Sequence, residues 1–180
     1  MKKTLMSVVM ASVLVSGSAF AGKGDSSTTI EFNGNVTNNT CQIAGESLDQ
    51  KISLGDLSVQ QVKDRSGGST PFTITLRNCD ADTANVSYMF QDMNGVGSKA
   101  YLENAATTGA AAENVGVEIS TDQAGTDALD TEVPTTLDIQ PANGEYNIGL
   151  YARMVETNTT AGAKAGLVQA KATVVIKATK

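Results

Sequence analysis

Short runs of alternating apolar and polar residues, separated by turn-forming residues, constrain the fold of this chain more than any other feature. The clearest run is 72–76 (FTITL), which follows Pro71 and ends before Asn78. Strict alternation places successive side chains on opposite faces of a strand, so that one face can pack on a core. Many short strands between Gly, Asn and Pro turns are typical of an antiparallel β-sandwich or barrel.

The same pattern recurs along the chain. Further candidate strands are 30–32, 51–54, 86–90, 115–119, 137–139, 146–155 and 167–179. Their content of threonine, valine and isoleucine agrees, because β-branched side chains suit a pleated, half-buried surface. The alanine-rich segment 105–113 could form a short helix, but its Thr-Thr-Gly sequence favours a loop. The sequence therefore predicts one all-β domain without internal repeats.

The first 21 residues have the parts of a secretory signal peptide. A basic start (MKK) precedes an apolar run at 5–15, and Ala19 and Ala21 form an A-x-A cleavage site. The alternative, a transmembrane anchor, would need about 20 predominantly apolar residues in succession. We therefore expect export with cleavage between Ala21 and Gly22, and no membrane span.

The mature chain is strongly acidic. The signal segment contains two of the 13 basic residues and none of the 19 acidic ones, which leaves 11 against 19 and a net charge of −8. Nucleic acids and anionic lipids are bound through clustered Lys and Arg side chains. The sparse basic tail of Lys171, Lys177 and Lys180 is too thin for such a patch, so the sequence excludes nucleic-acid binding.

Cys41 and Cys79 are the two cysteines of the chain. In an exported protein the simplest interpretation is one structural disulfide, because the periplasm is oxidising. Closing a loop of this length stabilises a fold by roughly 4 kcal/mol in the chain-entropy model. A metal site or a reactive thiol is the weaker alternative, since the chain has no histidine and the two cysteines lack metal-ligand spacing.

The side chains available for catalysis are few. Without histidine, neither a Ser-His-Asp nor a Cys-His arrangement can form. Asp80 and Asp82 are the obvious carboxylate pair, but they follow Cys79 in a turn, where solvated loop charges are the simpler interpretation. The acidic stretch 122–130 lacks the ligand spacing of a calcium loop. We therefore predict no enzyme activity, no metal site and no cofactor.

The two ends of the mature chain carry the most informative pattern. Residues 22–29 are polar, and such a tail is expected to be disordered in an isolated domain. The tail runs directly into Ile30 and Phe32, two large apolar side chains on one face of a strand. At the other end, Val174 and Ile176 belong to an apolar terminal strand with no obvious partner after it.

This pattern resembles the pilins of chaperone–usher fimbriae, in particular the major subunits of type 1-like fimbriae. The matching segments are 29–36, 40–43, 51–55, 71–76, 78–80, 114–119, 147–153 and 166–174. One departure is Thr179, which stands where the family usually has a penultimate tyrosine that the chaperone reads. The resemblance implies an incomplete immunoglobulin-like antiparallel β-sandwich, which lacks its last strand and is completed by a donor strand from another chain.

The resemblance also implies a domain organisation and a mode of assembly. Residues 1–21 would be the signal peptide, 22–33 an N-terminal donor-strand extension and 34–180 the pilin domain. A sandwich without its last strand exposes a hydrophobic groove, which an extended segment from another chain can fill by β-augmentation. In the family a periplasmic chaperone fills the groove first, and the next subunit replaces it at the outer-membrane usher.

Strand alternation assigns the inward face of the donor segment. Gly24, Ser26, Thr28, Ile30 and Phe32 share that face. The last two would be the main anchors, each contributing roughly 1.5–3 kcal/mol if fully buried. The alternative is that they begin an ordinary first strand of a complete sandwich.

The same resemblance assigns the acceptor side to the C-terminal part of the chain. Gly166, Val174 and Ile176 would border the acceptor groove and contact the chaperone. The expected function is a structural subunit of a surface fimbria of a Gram-negative bacterium, which polymerises with neighbouring copies and supports adhesion. A minor adaptor or tip pilin, or a receptor-binding module of the same system, is the alternative. A shaft could also bind a host receptor weakly through its repeated faces.

Overall fold

A computed structural model describes residues 41–79, 85–107, 109–138 and 144–179 of the chain. Within these ranges the chain forms short strands, one helix and one 3-10 turn. They are β1 (Gln42–Ile43), the 3-10 turn (Gly45–Ser47), α1 (Val59–Lys63), β2 (Thr70–Arg77), β3 (Asn85–Asp92), β4 (Leu102–Glu103), β5 (Val115–Ser120), β6 (Thr135–Asp138), β7 (Tyr146–Glu156) and β8 (Ala172–Thr179).

The strands form two antiparallel sheets. The first has the order β1-β2-β7-β5-β4 and the second the order β6-β3-β8. In the first sheet β2 pairs with β7, and in the second β3 pairs with β8 over eight residue pairs, from Asn85↔Thr179 to Asp92↔Ala172. This architecture confirms the all-β, antiparallel prediction, and the strands expected around 72–76, 86–90, 115–119 and 146–155 are present.

The hydrophobic core joins the two sheets. Leu76 of β2, Leu150 of β7 and Tyr88 of β3 are all buried in one apolar cluster. The rings of Phe72 on β2 and Phe90 on β3 meet edge to face, with their centroids 6.5 Å apart. Each of these large side chains contributes roughly 1.5–3 kcal/mol through its burial, so the sandwich is stabilised mainly by contacts between its sheets.

The short helix α1 was not predicted, although its start has a sequence signal. The Ser58 hydroxyl accepts a hydrogen bond from the Gln61 backbone N–H, and the Gln61 side chain accepts one from the Ser58 backbone N–H. This is a capping box, which satisfies two backbone donors at the start of a helix. Val62 is buried in a second apolar cluster with Val115 and Ala163, and this contact holds α1 against the first sheet.

Residues 51–54 were expected to form a strand, and that prediction is wrong. Ile52 and Leu54 are half-buried against the core while Lys51 and Ser53 are exposed, so the alternation is real. However, the segment pairs with no described strand, and the Ser53 carbonyl accepts a hydrogen bond from a side chain, the hydroxyl of Thr70. Alternating apolar residues indicate that one face of a segment is packed on the core. They do not indicate that its backbone is hydrogen-bonded to a neighbouring strand.

The C-terminal strand begins later than predicted, at Ala172 instead of residue 167. Leu167 forms an isolated parallel bridge with Ala111 instead. Segment 105–113 forms no helix in its described residues, as expected. None of the described helices has the length and apolar composition needed to cross a bilayer.

Candidate assembly edge

Among the strands that the structure describes, β8 has one paired edge and one open edge. It is hydrogen-bonded to β3 along its whole length, and no described residue pairs with its other edge. A free edge presents a row of backbone N–H and C=O groups that another strand can bind. Of the edge strands β1, β4, β6 and β8 in the described sheets, β8 is the longest, with eight residues, so its edge offers a further strand the most backbone groups.

The core beneath this edge is only partly covered. On the neighbouring strand β3, Val86, Tyr88 and Phe90 are fully buried. Val174 and Ile176 of β8 pack against the same cluster but are only half-buried. Because the register places them directly opposite Phe90 and Tyr88, they lie on the core-facing side of the sheet. The apolar face of β8 therefore has room for additional cover.

The three C-terminal residues assigned to the groove fall in two places. Val174 and Ile176 lie on the core-facing side of β8. Gly166 lies six residues before that strand, against the backbone of the segment 110–112, where an added Cβ would lie 2.3 Å from the Ala112 nitrogen and 2.6 Å from the Ala110 oxygen. This close approach requires glycine for packing reasons, and the groove assignment of Gly166 stays a prediction.

The predicted donor and cleavage residues lie outside the described residues. These are Ala21 and Gly22 at the cleavage site, and Gly24, Ser26, Thr28, Ile30 and Phe32 on the donor face. Asp80 and Asp82 also lie outside the described ranges.

The disulfide between Cys41 and Cys79 is present, as predicted. It joins the residue before β1 to the turn after β2, and these two strands pair with each other. The Cys79 backbone N–H also donates to the Gly144 carbonyl, 3.0 Å away, just before β7. The crosslink therefore fixes the start of the described fold to the centre of the first sheet.

Asn104 is a structurally important residue that the sequence did not single out. Its side-chain nitrogen donates to the carbonyls of Ala112 and Leu167, and its side-chain oxygen accepts from the N–H groups of Ala106 and Gln169. These four bonds span 2.9–3.1 Å and tie together three stretches of backbone. No local pattern distinguishes Asn104 from other loop asparagines, because its partners lie up to 65 residues away.

Backbone hydrogen bonds continue this connection. The N–H of Ala105 donates to Gln169, that of Leu167 to Ala110, and that of Ala112 to Leu167, at 2.7–3.0 Å. We call these bonds, together with those of Asn104, the strap. The strap holds the segment that leads into β8.

The buried charges of Glu118 and Arg153 belong to one ion cluster. Glu118 on β5 and Arg153 on β7 face each other in register and are 5% and 6% exposed. The Glu118 carboxylate lies 2.6 Å from the Arg65 guanidinium and 3.5 Å from that of Arg153. The added Cβ of any residue at Gly125 would lie 2.6 Å from the Arg153 guanidinium carbon. Buried ions need an oppositely charged partner, because desolvation of an unpaired charge is unfavourable. We therefore interpret this cluster as structural.

The groups with shifted pKa values include Asp122 on the surface and Tyr88 in the core. Hydrogen bonds from the Asp127 backbone N–H and from Thr126 hold the pKa of Asp122 at about 2. Burial raises the pKa of Tyr88, and the nearby Tyr146 adds to this effect. Asp122 bonds its own loop, and the described residues contain no group of three or more Asp, Glu, Cys or His side chains able to hold a metal ion.

Comparisons with known proteins agree with this architecture. The sequence model of the family described as "Fimbrial protein" matches residues 30–178. The chain is 30% identical to fimbrial protein 987P of Escherichia coli over 98% of its own length and 96% of that protein. It is 27% identical to a type-1 fimbrial protein subunit of Serratia marcescens, over 90% of this chain and 93% of the relative.

Solved structures share the fold. The P pilus rod subunit PapA superposes with a TM-score of 0.59 at 18% identity, over 78% of this chain and all of that chain. A subunit from the structure of a chaperone–usher pilus also gives 0.59 at 18% identity, over 84% and 95% of the two chains. At this identity the likeness establishes the fold. Since the family's sequence model covers most of the chain, this chain belongs to the fimbrial protein family.

Proposed function

We propose that the chain is a structural subunit of a bacterial surface fimbria, in which copies are joined by strand addition at β8. The open edge of β8 carries this proposal. Strand addition needs free backbone groups for affinity and an accessible apolar face for side-chain pockets, and β8 offers both. Similar proteins of Haemophilus influenzae are named major fimbrial subunits, which favours a shaft subunit over a minor adaptor or tip pilin.

The proposed donor is segment 22–33 of a neighbouring copy. Its apolar anchors, Ile30 and Phe32, would cover the half-buried face formed by Val174 and Ile176. The smaller residues on the same face are Gly24, Ser26 and Thr28. Their short side chains allow the two backbones to approach closely, while the two anchors supply most of the burial free energy.

The proposal includes a route to the cell surface. Cleavage after Ala21 would release the donor segment, and a periplasmic chaperone would cover the β8 edge and contact Gly166 until an outer-membrane usher exchanges it for the next subunit. A host receptor would meet the repeated outer faces of the fibre. The role is mechanical and non-catalytic, on the surface of a Gram-negative bacterium.

The decisive experiment places charge on the donor anchors of the full chain, expressed with its chaperone and usher. The double variant Ile30→Asp, Phe32→Asp is expected to abolish fibres seen by electron microscopy, while soluble monomer still accumulates in the periplasm. The matched control is Thr29→Asp, because residue 29 lies on the opposite face, where Glu31 already carries a charge. The control is expected to form normal fibres.

Two other results would contradict the proposal. Normal fibres from the double variant would show that these side chains are not the donor anchors. Loss of the monomer itself would show that Ile30 and Phe32 belong to an ordinary first strand. A second measurement separates these cases: segment 22–32, moved to the C-terminus behind a short linker, is expected to raise the melting temperature of the domain.

A further inference from the structure

The loop after β3 presents the pair Asn94-Gly95 to solvent. Asn94 is exposed, and its neighbours Met93 and Val96 are 63% and 87% exposed. The Asn94 backbone N–H donates to the Asp92 carboxylate at 3.0 Å, whereas its side-chain amide has no hydrogen-bond partner in the described part of the chain. The Gly95 N–H is likewise without a partner among the described residues. Both groups are therefore free to react with each other.

Other asparagines in the described ranges are held. Asn104 makes the four bonds of the strap, Asn114 donates to the Gly162 carbonyl at 2.8 Å, and Asn158 accepts from two backbone N–H groups. These three are followed by Ala, Val and Thr, whose side chains hinder an approach of their own backbone nitrogen. Among the described asparagines, Asn94 alone precedes a glycine, which has no Cβ to hinder that approach.

We propose that Asn94 is a site of spontaneous deamidation. The Gly95 backbone nitrogen attacks the side-chain carbonyl carbon of Asn94, and a C–N bond forms as the amide leaves as ammonia with the proton of the Gly95 nitrogen. The resulting succinimide is opened by water at either of its carbonyls, giving aspartate or isoaspartate. Water is the sole co-reactant, so the chemistry needs no enzyme and no cofactor.

The modification changes a loop that is fixed by a buried carboxylate. Asp92 is buried, and its oxygens accept from the N–H groups of Asn94 and Glu103 at 3.0 and 2.7 Å. Deamidation places a second carboxylate beside Asp92, where like charges repel. Isoaspartate also lengthens the backbone by one carbon between Asn94 and Gly95. Each modified subunit therefore gains one negative charge and a weaker connection between β3 and β4.

The test follows the folded mature chain during incubation at mildly alkaline pH and body temperature. Peptide mapping by mass spectrometry measures the amide-to-acid conversion, and fragment ions assign it to individual residues. Asn104 and Asn158 are internal controls in the same sample. We expect Asn94 to convert at least about tenfold faster than either control, which corresponds to a barrier lower by about 1.4 kcal/mol.

A variant and a second condition make the outcome decisive. Asn94→Gln is expected to abolish the conversion in the peptide that contains residue 94 and to reduce the acidic form on isoelectric focusing, to which Asn33-Gly34 and Asn143-Gly144 can also contribute. Gly95→Ala is a poorer choice, because its Cβ would lie 2.3 Å from an Asp92 carboxylate oxygen. Conversion of Asn94 no faster than that of the controls, or only after the chain is unfolded in denaturant, would overturn the proposal.

Discussion

Two neighbouring stretches of the C-terminal chain are bonded in opposite ways. Residues 166–169 are fixed by the strap, with hydrogen bonds to Asn104, Ala105, Ala110 and Ala112. A few residues later, β8 is bonded to β3 along one edge and to no described residue along the other. Both stretches have the same alternating apolar pattern, from Val168 to Ile176. The alternating sequence determines which side chains face the core. Whether the backbone N–H and C=O groups are hydrogen-bonded depends on residues far away in the sequence.

The difference separates stability from assembly. All hydrogen bonds of the strap are made within one chain. Substitutions that remove them should therefore destabilise the monomer. The free edge of β8 has no partner within the described chain. Substitutions there should therefore lower the stability of the proposed fibre more than that of the monomer. Substitutions that act on one stretch alone test this separation.

The largest effect is expected at Gly166 in the strapped stretch. Gly166→Ala places a Cβ 2.3–2.6 Å from backbone atoms of residues 110–112, which cannot move aside as a flexible side chain could. We expect a loss of about 3 kcal/mol of unfolding free energy, measured by urea denaturation of the monomer. Gly149→Ala is the matched control, since nothing lies within 4 Å of its added Cβ. Similar stability of the two variants would remove the packing explanation for Gly166.

A smaller loss is expected when the strap loses its side-chain bonds. Asn104→Ala removes one hydrogen bond from each of two carbonyls and two N–H groups, although the Leu167 carbonyl keeps its bond from the Ala112 N–H, and we expect a loss of about 2 kcal/mol. Hydrogen exchange should show faster exchange of the Gln169 N–H, with the β3–β8 ladder unchanged. Equal exchange throughout β8 would mean that the two stretches unfold as one unit and that the comparison fails.

The open edge can be compared directly with its paired neighbour. Val86→Ala in the buried strand β3 should cost the monomer about 2 kcal/mol, and Val174→Ala in the half-buried strand β8 about 1 kcal/mol. In assembled fibres the two costs should become similar, because the proposed donor strand would cover Val174. Thermal dissociation of fibres and unfolding of monomers, measured for both variants, give this difference. If Val174→Ala lowers the stability of the fibre and of the monomer by the same amount, no donor strand covers Val174.

The smallest effect is expected at Tyr88, opposite Ile176. The Tyr88 hydroxyl is buried without a hydrogen-bond partner among the described residues. Tyr88→Phe removes this unsatisfied group, and we expect unchanged stability or a gain of up to about 1 kcal/mol. The control is Tyr151→Phe, at a half-buried tyrosine of β7, and its unfolding free energy should differ from that of the parent by no more than a few tenths of a kcal/mol. A clear loss at Tyr88 would reveal a partner for the hydroxyl in solution.

Much of the fold could be read from local patterns. The strands around 72–76, 86–90 and 115–119 were predicted, because strict alternation within a few residues indicates a segment with one packed face, and these segments also join a sheet. The disulfide followed from cysteine count and compartment. Residues 51–54 show the limit of this reasoning, since Ile52 and Leu54 alternate with exposed neighbours without joining a sheet.

The candidate site could be predicted only in part. The family resemblance assigned Val174 and Ile176 to the groove, their alternation predicted that they share one face, and the structure puts both on the core-facing side of β8. The strap could not be predicted, since Asn104 reaches partners 63 and 65 residues away and no local sequence encodes that contact. The capping box at Ser58 and Gln61 was present in the sequence, and a search for helix starts would have found it.

The crosslink at Cys41 has a mechanical consequence. In the proposed fibre, tension enters each subunit through the segment that precedes this residue. The strand β1 that follows is two residues long, and by itself it would peel away from its neighbour under a small force. The covalent bond to Cys79 carries that force past β1 to the end of β2, which is paired with β7 over seven residue pairs. A reduced fibre should therefore stretch and unravel at lower force than an oxidised one, even where both look alike at rest.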